Sequence, residues 1–434
     1  MIPNIVYLHS HDTGRYVSAM GHAVATPNVQ RLAEQGMLLR RCFCAAPTCS
    51  PSRAALLTGQ SAHSSGMLGL AHRGFALHDY GQHLVSTLQG AGFHTVLAGM
   101  QHVGDDVGYD EDLAPETRQA QHVAAAAEAF LDQGPQQPFF LDVGCSETHL
   151  PFPDMPAADG RYLRVPDPLP DTPGIRHMMA GYHESVRRMD DGHGRVLAAL
   201  ERNGLADNTL VICTTDHGIA FPGMKCHLTD HGIGVYLILR GPGGFSGGQV
   251  CDALVSHVDL FPTICEIVGI EPPAHLQGTS LLPLATGQPA VRDEIFAEVN
   301  FHAAYDPARA VRTDRWKLIR HYDAEMTTPV LPNCDDSEAK AVWLEHGWGQ
   351  RPKQMERLYD LIFDPNETQN LAADPAHAEV LAMMRGRLQR WMEATEDPLL
   401  VGEVKAPRGA RINDKRGASP RDEPHVVNYE GTDG

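Results

Sequence analysis

The sequence predicts an α/β fold: a mostly parallel sheet with helices on both faces, followed by a smaller α+β unit built on antiparallel strands. Three observations carry this. Short apolar runs alternate with helical segments from residue 4 to about residue 290, the pattern of repeated strand–helix–strand units. Beyond Val291 the runs follow one another with only turn signals between them, as antiparallel strands do. At 434 residues the chain is too long for one small core. The expected organisation is therefore 1–290, 291–404 and a tail, 405–434.

Ile5-Val6-Tyr7-Leu8 reads as a buried strand, because a parallel strand covered on both faces is apolar at every position. Thr26-Pro27-Asn28 reads as the cap of a helix reaching about Gln35. Met37 to Cys44 reads as one strand, His83 to Gln89 as a helix, and Thr95 to Ala98 as a strand. An Ala-rich helix is expected from Arg118 to Leu131, a strand from Phe139 to Val143, and a long helix from about Gly181 to Arg202. Asn208 to Thr214 and Tyr236 to Leu239 complete the predicted sheet. In the second part, Ile295 to Val299, Arg309 to Val311 and Trp316 to Ile319 read as strands, and Ala376 to Thr395 as an amphipathic helix. The tail is rich in charge, Gly and Pro, which predicts an extended arm or disorder.

A formal net charge of -19 argues against a nucleic-acid-coating role, which needs a basic footprint. It leaves room for a small anionic substrate, since a pocket's local field can oppose the global charge. No window has the length and apolarity of a membrane span, and no secretory segment precedes Asn4, so a cytoplasmic protein is expected. Nine scattered cysteines fit reduced thiols.

Ligands of open parallel sheets sit beyond the carboxyl ends of the strands. His11-Asp12 follows the first predicted strand, and Asp216-His217-Gly218 follows another. Two such acid–imidazole pairs could converge on a metal, although an Asp after a strand is also an ordinary cap or turn former. Cys49 stands between Pro47 and Pro51, just ahead of a helix start. A lone Cys is by default a small buried hydrophobe. At a helix N-terminus, with Arg53 one turn on, it instead sits where an anion is favoured.

The stretch Cys49-Ser50-Pro51-Ser52-Arg53-Ala54-Ala55-Leu56-Leu57-Thr58-Gly59 resembles the signature of the formylglycine-dependent sulfatases, in which this Cys is oxidised to an aldehyde. Pro3 to Val6, His11 to Gly14, Asp207 to Gly218, Arg312 to Leu318 and Leu358 to Leu361 are similar to further family segments. Gly66 to Leu70, His102 to Gly104, Gly218 to Pro222 and Asp364 to Leu371 resemble its heparan N-sulfatase (sulfamidase) branch. The resemblance implies an alkaline-phosphatase-like fold and hydrolysis of a sulfate ester or sulfamate, on a sugar, through a hydrated formylglycine and a covalent sulfo-enzyme. It implies a metal held by His11, Asp12, Cys49, Asp216 and His217. It also implies an Arg53 that orients the diol, a His102 that removes its second proton, and a His149 that protonates the leaving group. Lys225 would bind the sulfate. A formylglycine-generating maturation enzyme is implied as a partner, with a homodimer as one oligomeric option.

Two positions depart from the family pattern. His11 stands where the family carries Asp, which removes a negative charge and makes manganese or another borderline metal a candidate beside calcium. Met100 stands where the family carries Lys, so either another cation supplies that charge or the transition state is less well stabilised. Glu147, Glu298 and His302 are weaker candidates for the pocket wall, and His231 reads as structural. The competing functions are a phosphonate monoester or phosphodiester hydrolase of the same superfamily and an inactive anion-binding homologue.

Overall fold

The computed structural model describes residues 2–105 and 107–428. Its centre is an eight-stranded sheet in the order Gln249–Cys251, Met37–Leu39, Leu237–Arg240, Thr209–Thr215, Asn4–Ser10, Phe139–Gly144, His94–Gly99 and Glu111–Asp112. All neighbours pair in parallel except Leu237–Arg240, which runs against both of its neighbours. Asn4–Ser10 and Thr209–Thr215 lie side by side, with Ser10 opposite Thr215, so the residues that follow each strand emerge together at one edge. Both strands are buried along their whole length, which is why their apolar runs show no alternation.

The helices cover the sheet on two faces, and each face has its own apolar cluster. Pro173–Arg202 is 30 residues long and begins before Gly181, the start expected from sequence. Thr172 caps it, its hydroxyl accepting from the Ile175 amide at 3.3 Å, and Pro173 takes the first turn as proline prefers. Gly181 is there for close packing: a Cβ would come within 2.4 Å of the Pro153 carbonyl oxygen.

Two further local expectations are corrected. Met37 to Cys44 is not one strand. Met37–Leu39 belongs to the large sheet, whereas Cys42–Phe43 pairs with Gly234–Val235 and Val255–Ser256 in a separate three-stranded sheet. The turn at Arg40 and Arg41 separates them. Thr26 precedes helix Pro27–Gln35 but does not cap it with its side chain. Its hydroxyl accepts from the Ser18 amide at 2.8 Å, and the Asp190 carboxylate caps the helix instead, accepting from the amides of Asn28 and Val29 at 3.1 and 2.8 Å.

Beyond residue 290 the strands Glu294–Phe301, Tyr305–Thr313, Trp316–His321 and Glu356–Asp360 form an antiparallel sheet in sequence order. The helix Ala378–Ala394 packs on it through Leu381, Met384, Leu388 and Met392. The other face of this sheet contributes Ile295, Val299 and Ile319 to the apolar cluster that also holds Ile5 and Leu57, so one core is continuous across it. The tail is an ordered arm among the described residues: Arg411–Ile412 pairs with His425–Val426, and Val404, Ala410 and Ile412 are buried in the main core. All nine cysteines are free. Among the described residues, no helix is long and apolar enough to cross a membrane.

Several buried histidines make the fold acid-sensitive. Burial pushes His83 and His321 down to about 4 and His193 down to about 3. Each is neutral in the native chain but takes a proton in the unfolded chain below about pH 6.5. The unfolded state therefore binds more protons, and stability is fully present above that pH and falls as pH drops toward the folded values. Each such group contributes a slope of up to about 1.4 kcal/mol per pH unit. Urea unfolding at pH 7.5, 6.5 and 5.5 should show little change over the first step and a clear loss over the second. Equal stability at all three would disprove the assignment.

Candidate active site

Three elements deliver five potential ligands to one point. His11 and Asp12 follow strand Asn4–Ser10, Asp216 and His217 follow strand Thr209–Thr215, and Cys49 opens helix Cys49–Thr58. One nitrogen, oxygen or sulfur atom from each of His11, Asp12, Cys49, Asp216 and His217 lies within 4.8 Å of every other, and all five residues are buried. The two strand ends are stitched together by the Asp12 amide, which donates to Asp216 Oδ1 at 2.8 Å. Asp12 adopts a φ of 53°, a left-handed conformation that Asp tolerates better than most residues.

The cluster fits a divalent cation. His217 Nδ1 lies 3.0 Å from the Gly218 carbonyl oxygen, so that nitrogen carries the proton and Nε2 presents a lone pair. Nε2 is buried with no hydrogen-bond partner, 3.3 Å from Asp12 Oδ1 and 3.7 Å from Asp216 Oδ2. A lone pair facing carboxylate oxygens at that range wants a cation among them. His11 Nδ1 is 2.6 Å from Asp12 Oδ1, and burial pushes His11 down to about 4 against the pull of Asp216 and Asp12, so it too is a neutral donor. Burial opposes ionisation of the carboxylates. The Lys225 ammonium beside Asp12, and the Arg53 guanidinium beside Asp216, nonetheless hold both below the usual carboxylate range. Two carboxylates with two imidazoles suit a borderline metal better than a purely hard one.

Arg53 is held more firmly than sequence could reveal. Its terminal nitrogens donate to His9 Nδ1 at 2.5 Å, to the Ser10 carbonyl at 2.8 Å and to Asp216 Oδ2 at 3.0 Å, while Nε is buried and unpartnered. His9 must then donate through Nε2 to Asp142 Oδ1 at 2.7 Å, and Asp142 Oδ2 accepts from Tyr109 at 2.6 Å. This relay of His9, Asp142 and Tyr109 fixes the guanidinium plane.

Lys225 is buried, its ammonium 3.0 Å from both Asp12 Oδ2 and Asp335 Oδ2. Burial alone would lower its pKa, but these carboxylates hold it well above the ordinary lysine value. Asp335 was missed by sequence reasoning. His102 has a φ of 59° and stacks on His72 with ring centroids 5.4 Å apart. Burial, with His11 and Arg53 nearby, drives His102 down to about 2, and its Nδ1 has no partner. His149 packs edge-on against His11 at 4.7 Å. Its Nδ1–H donates to the Leu150 carbonyl at 2.6 Å, and Nε2 lies 4.0 Å from Asp12 Oδ2.

All five proposed catalytic side chains thus gather at one site. Cys49, His102, His149, Lys225 and His302 line one cavity of about 340 Å³. His11, Met100, His102, Glu147 and His149 line a second of about 640 Å³, which Arg118 and Arg188 also line. Glu298 is corrected: it lies in the core, accepting from the His63 amide at 3.0 Å and facing Arg309 at 3.3 Å. His231 lies outside both cavities.

The sulfatase family model matches residues 3–270. This chain belongs to the sulfatase family. The model of the N-sulphoglucosamine sulphohydrolase C-terminal region also matches, over residues 224–346. Human N-sulphoglucosamine sulphohydrolase is 31% identical over 91% of this chain and 91% of its own length. Among solved structures, a 2-O GAG sulfatase superposes with a TM-score of 0.76 at 22% identity, covering 97% of this chain and 100% of its own. A protein in complex with D-glucosamine-2-N,6-O-disulfate superposes with a TM-score of 0.71 at 19% identity, over 92% and 99% of the two chains.

Proposed function

We propose that this sulfatase hydrolyses a sulfamate or sulfate ester on an amino sugar, with the sulfamate as the preferred linkage. The observation that carries the chemistry is the buried position of Cys49 at a helix N-terminus, inside a ring of two carboxylates and two imidazoles. The likeness to human N-sulphoglucosamine sulphohydrolase along nearly the whole chain supports the substrate class.

Conversion of Cys49 by a maturation enzyme supplies a geminal diol, a nucleophile and a later leaving-group expeller on one carbon. His11, Asp12, Asp216, His217 and residue 49 would hold a divalent metal, which would supply Lewis-acid polarisation of a sulfate oxygen. The remaining steps belong to the chain. The Lys225 ammonium gives fixed positive charge on the sulfate side, and the Arg53 guanidinium orients the diol of residue 49 by charged hydrogen bonds. His102, whose Nδ1 is buried without a partner, is the imidazole placed to take the second diol proton. His149 lines the same cavity as Cys49 and, in its protonated form, would donate the Nε2 proton to the leaving nitrogen or oxygen. A cavity of about 340 Å³ lies within the ~300–1,000 Å³ that encloses small ligands, and it shares His102 and His149 with the larger cavity beside it.

Neither the phosphonate-ester reading nor the idle anion-binding reading is favoured by these likenesses. Turnover of N-sulfoglucosamine, an aryl sulfate and an aryl phosphonate by one preparation tests the proposal, with mass spectrometry of the Cys49 peptide alongside. A converted residue 49 and the highest rate on a sulfated compound are expected. An unmodified thiol throughout an active preparation would end it. Chelation should silence the enzyme, and manganese should restore it at least as well as calcium, because His11 stands in place of a carboxylate.

A further inference from the structure

We propose that the C-terminal arm completes the substrate cavity and supplies Arg421 as the residue that recognises a second anionic group on the substrate; this rests on the sulfated-sugar reading above. Pro420 and Arg421 line the same cavity as Cys49 and Lys225. The segment that carries them is built in. Arg73 donates to Asn413 Oδ1 at 2.6 Å, the Pro420 carbonyl at 3.2 Å and the Arg411 carbonyl at 3.3 Å. The buried Lys340 ammonium donates to the Ala418 carbonyl at 2.8 Å. The Asp422 carboxylate accepts from the amides of Ala418 and Ser419 at 3.0 and 2.9 Å, and the Asn413 side-chain amide donates to the Asp422 carbonyl at 2.7 Å. A loop tied at this many points holds its backbone still while Arg421 projects from it.

The state of the cavity's cations decides what Arg421 can do. Lys225 is matched by Asp12 and Asp335, and Arg73 is spent on the arm. The Arg421 guanidinium makes no hydrogen bond among the described residues. Its nearest carboxylate, Asp336, stands off at 3.9 Å and is already shared with Lys340 and Ser419. Its side chain is 83% exposed, so it sits at the rim and pays little desolvation before a ligand arrives. A guanidinium fork in that condition matches a planar carboxylate or two sulfate oxygens. A sugar whose scissile sulfate is near residue 49 would present a second oxyanion to this rim.

The test uses the full chain carrying Cys49→Ala as a non-reacting trap, so binding is read whether or not turnover occurs. Calorimetry compares three ligands: glucosamine N-sulfate, glucosamine 2-N,6-O-disulfate, and an N-sulfated disaccharide bearing a uronate carboxylate. The trap should bind at least one of the doubly anionic ligands about three- to tenfold more tightly than the N-sulfate alone, a value discounted for exposure. Arg421→Ala in the trap should bring that ratio close to one and Arg421→Lys should retain part of it, with unchanged unfolding midpoints. Which ligand loses its advantage tells sulfate from carboxylate. A ratio of one in the trap itself, or an undiminished ratio in Arg421→Ala, overturns the proposal. Turnover of the N-sulfate by the unsubstituted enzyme judges the sulfatase reading separately.

Discussion

Cys49→Ala should lower kcat/KM on the sulfated sugar by on the order of 10⁴ or more, as loss of a nucleophile does in a concerted site, while the fold survives. The side chain is buried, but removing one sulfur atom from a helix N-terminus costs only about 1 kcal/mol. The same reasoning predicts that unconverted enzyme is inert. Burial holds the Cys49 thiol well above its ordinary range, despite Lys225 and Arg53 nearby, so the unmodified residue is neither a thiolate nor a diol. Across preparations that differ in maturation, activity should scale with the converted fraction of the Cys49 peptide and extrapolate to zero at none. A Cys49→Ala protein with full turnover would mean that the chemistry lies elsewhere in the cluster.

The parts of the fold legible in the sequence were those whose physics is local. Ile5 to Leu8 and Phe139 to Val143 are buried on both faces, so their side chains declare them without reference to partners. The acid–imidazole pairs could be read because a parallel sheet delivers strand-end residues to one edge. What escaped depends on contacts made across long sequence distances. His9 lies inside a strand and reads as an ordinary core residue until Arg53 and Asp142 are seen on either side of it. Asp142 interrupts an apolar run and gains its meaning only from His9 and Tyr109. Asp335 lies in a stretch without periodicity. The tail's composition predicts an extended arm or disorder equally well, because what holds it, Arg73 and Lys340, lies far away in the sequence. Cys42 and Phe43 continue the apolar run from Met37, yet they pair in a different sheet, a choice made by Gly234–Val235 and Val255–Ser256 rather than by their own propensity.

Asp216→Ala should unite the two losses that the site keeps apart. Asp216 is buried and accepts from the Asp12 amide at 2.8 Å, the His217 amide at 3.0 Å and Arg53 Nη2 at 3.0 Å. Its removal strands the Arg53 guanidinium in the interior, and an uncompensated buried charge of that kind costs about 3–5 kcal/mol. Asp216→Asn keeps an acceptor oxygen and the side-chain shape, so its cost should be nearer 1–3 kcal/mol, although it removes the charge that a divalent cation requires. Urea unfolding in chelator measures the ion-pair part alone, because any metal bound to the native state would add its own stabilisation. Pairing Asp216→Ala with Arg53→Met removes both charges and should recover much of the stability without recovering turnover. Added manganese should raise the midpoint of the unsubstituted protein and leave the Asp216 variants where they were. If Asp216→Ala matched the parent in chelator, Arg53 would have found another partner and the electrostatic account of this site would fall; if manganese stabilised it as it does the parent, the ligand set would be wrong while the ion pair stood.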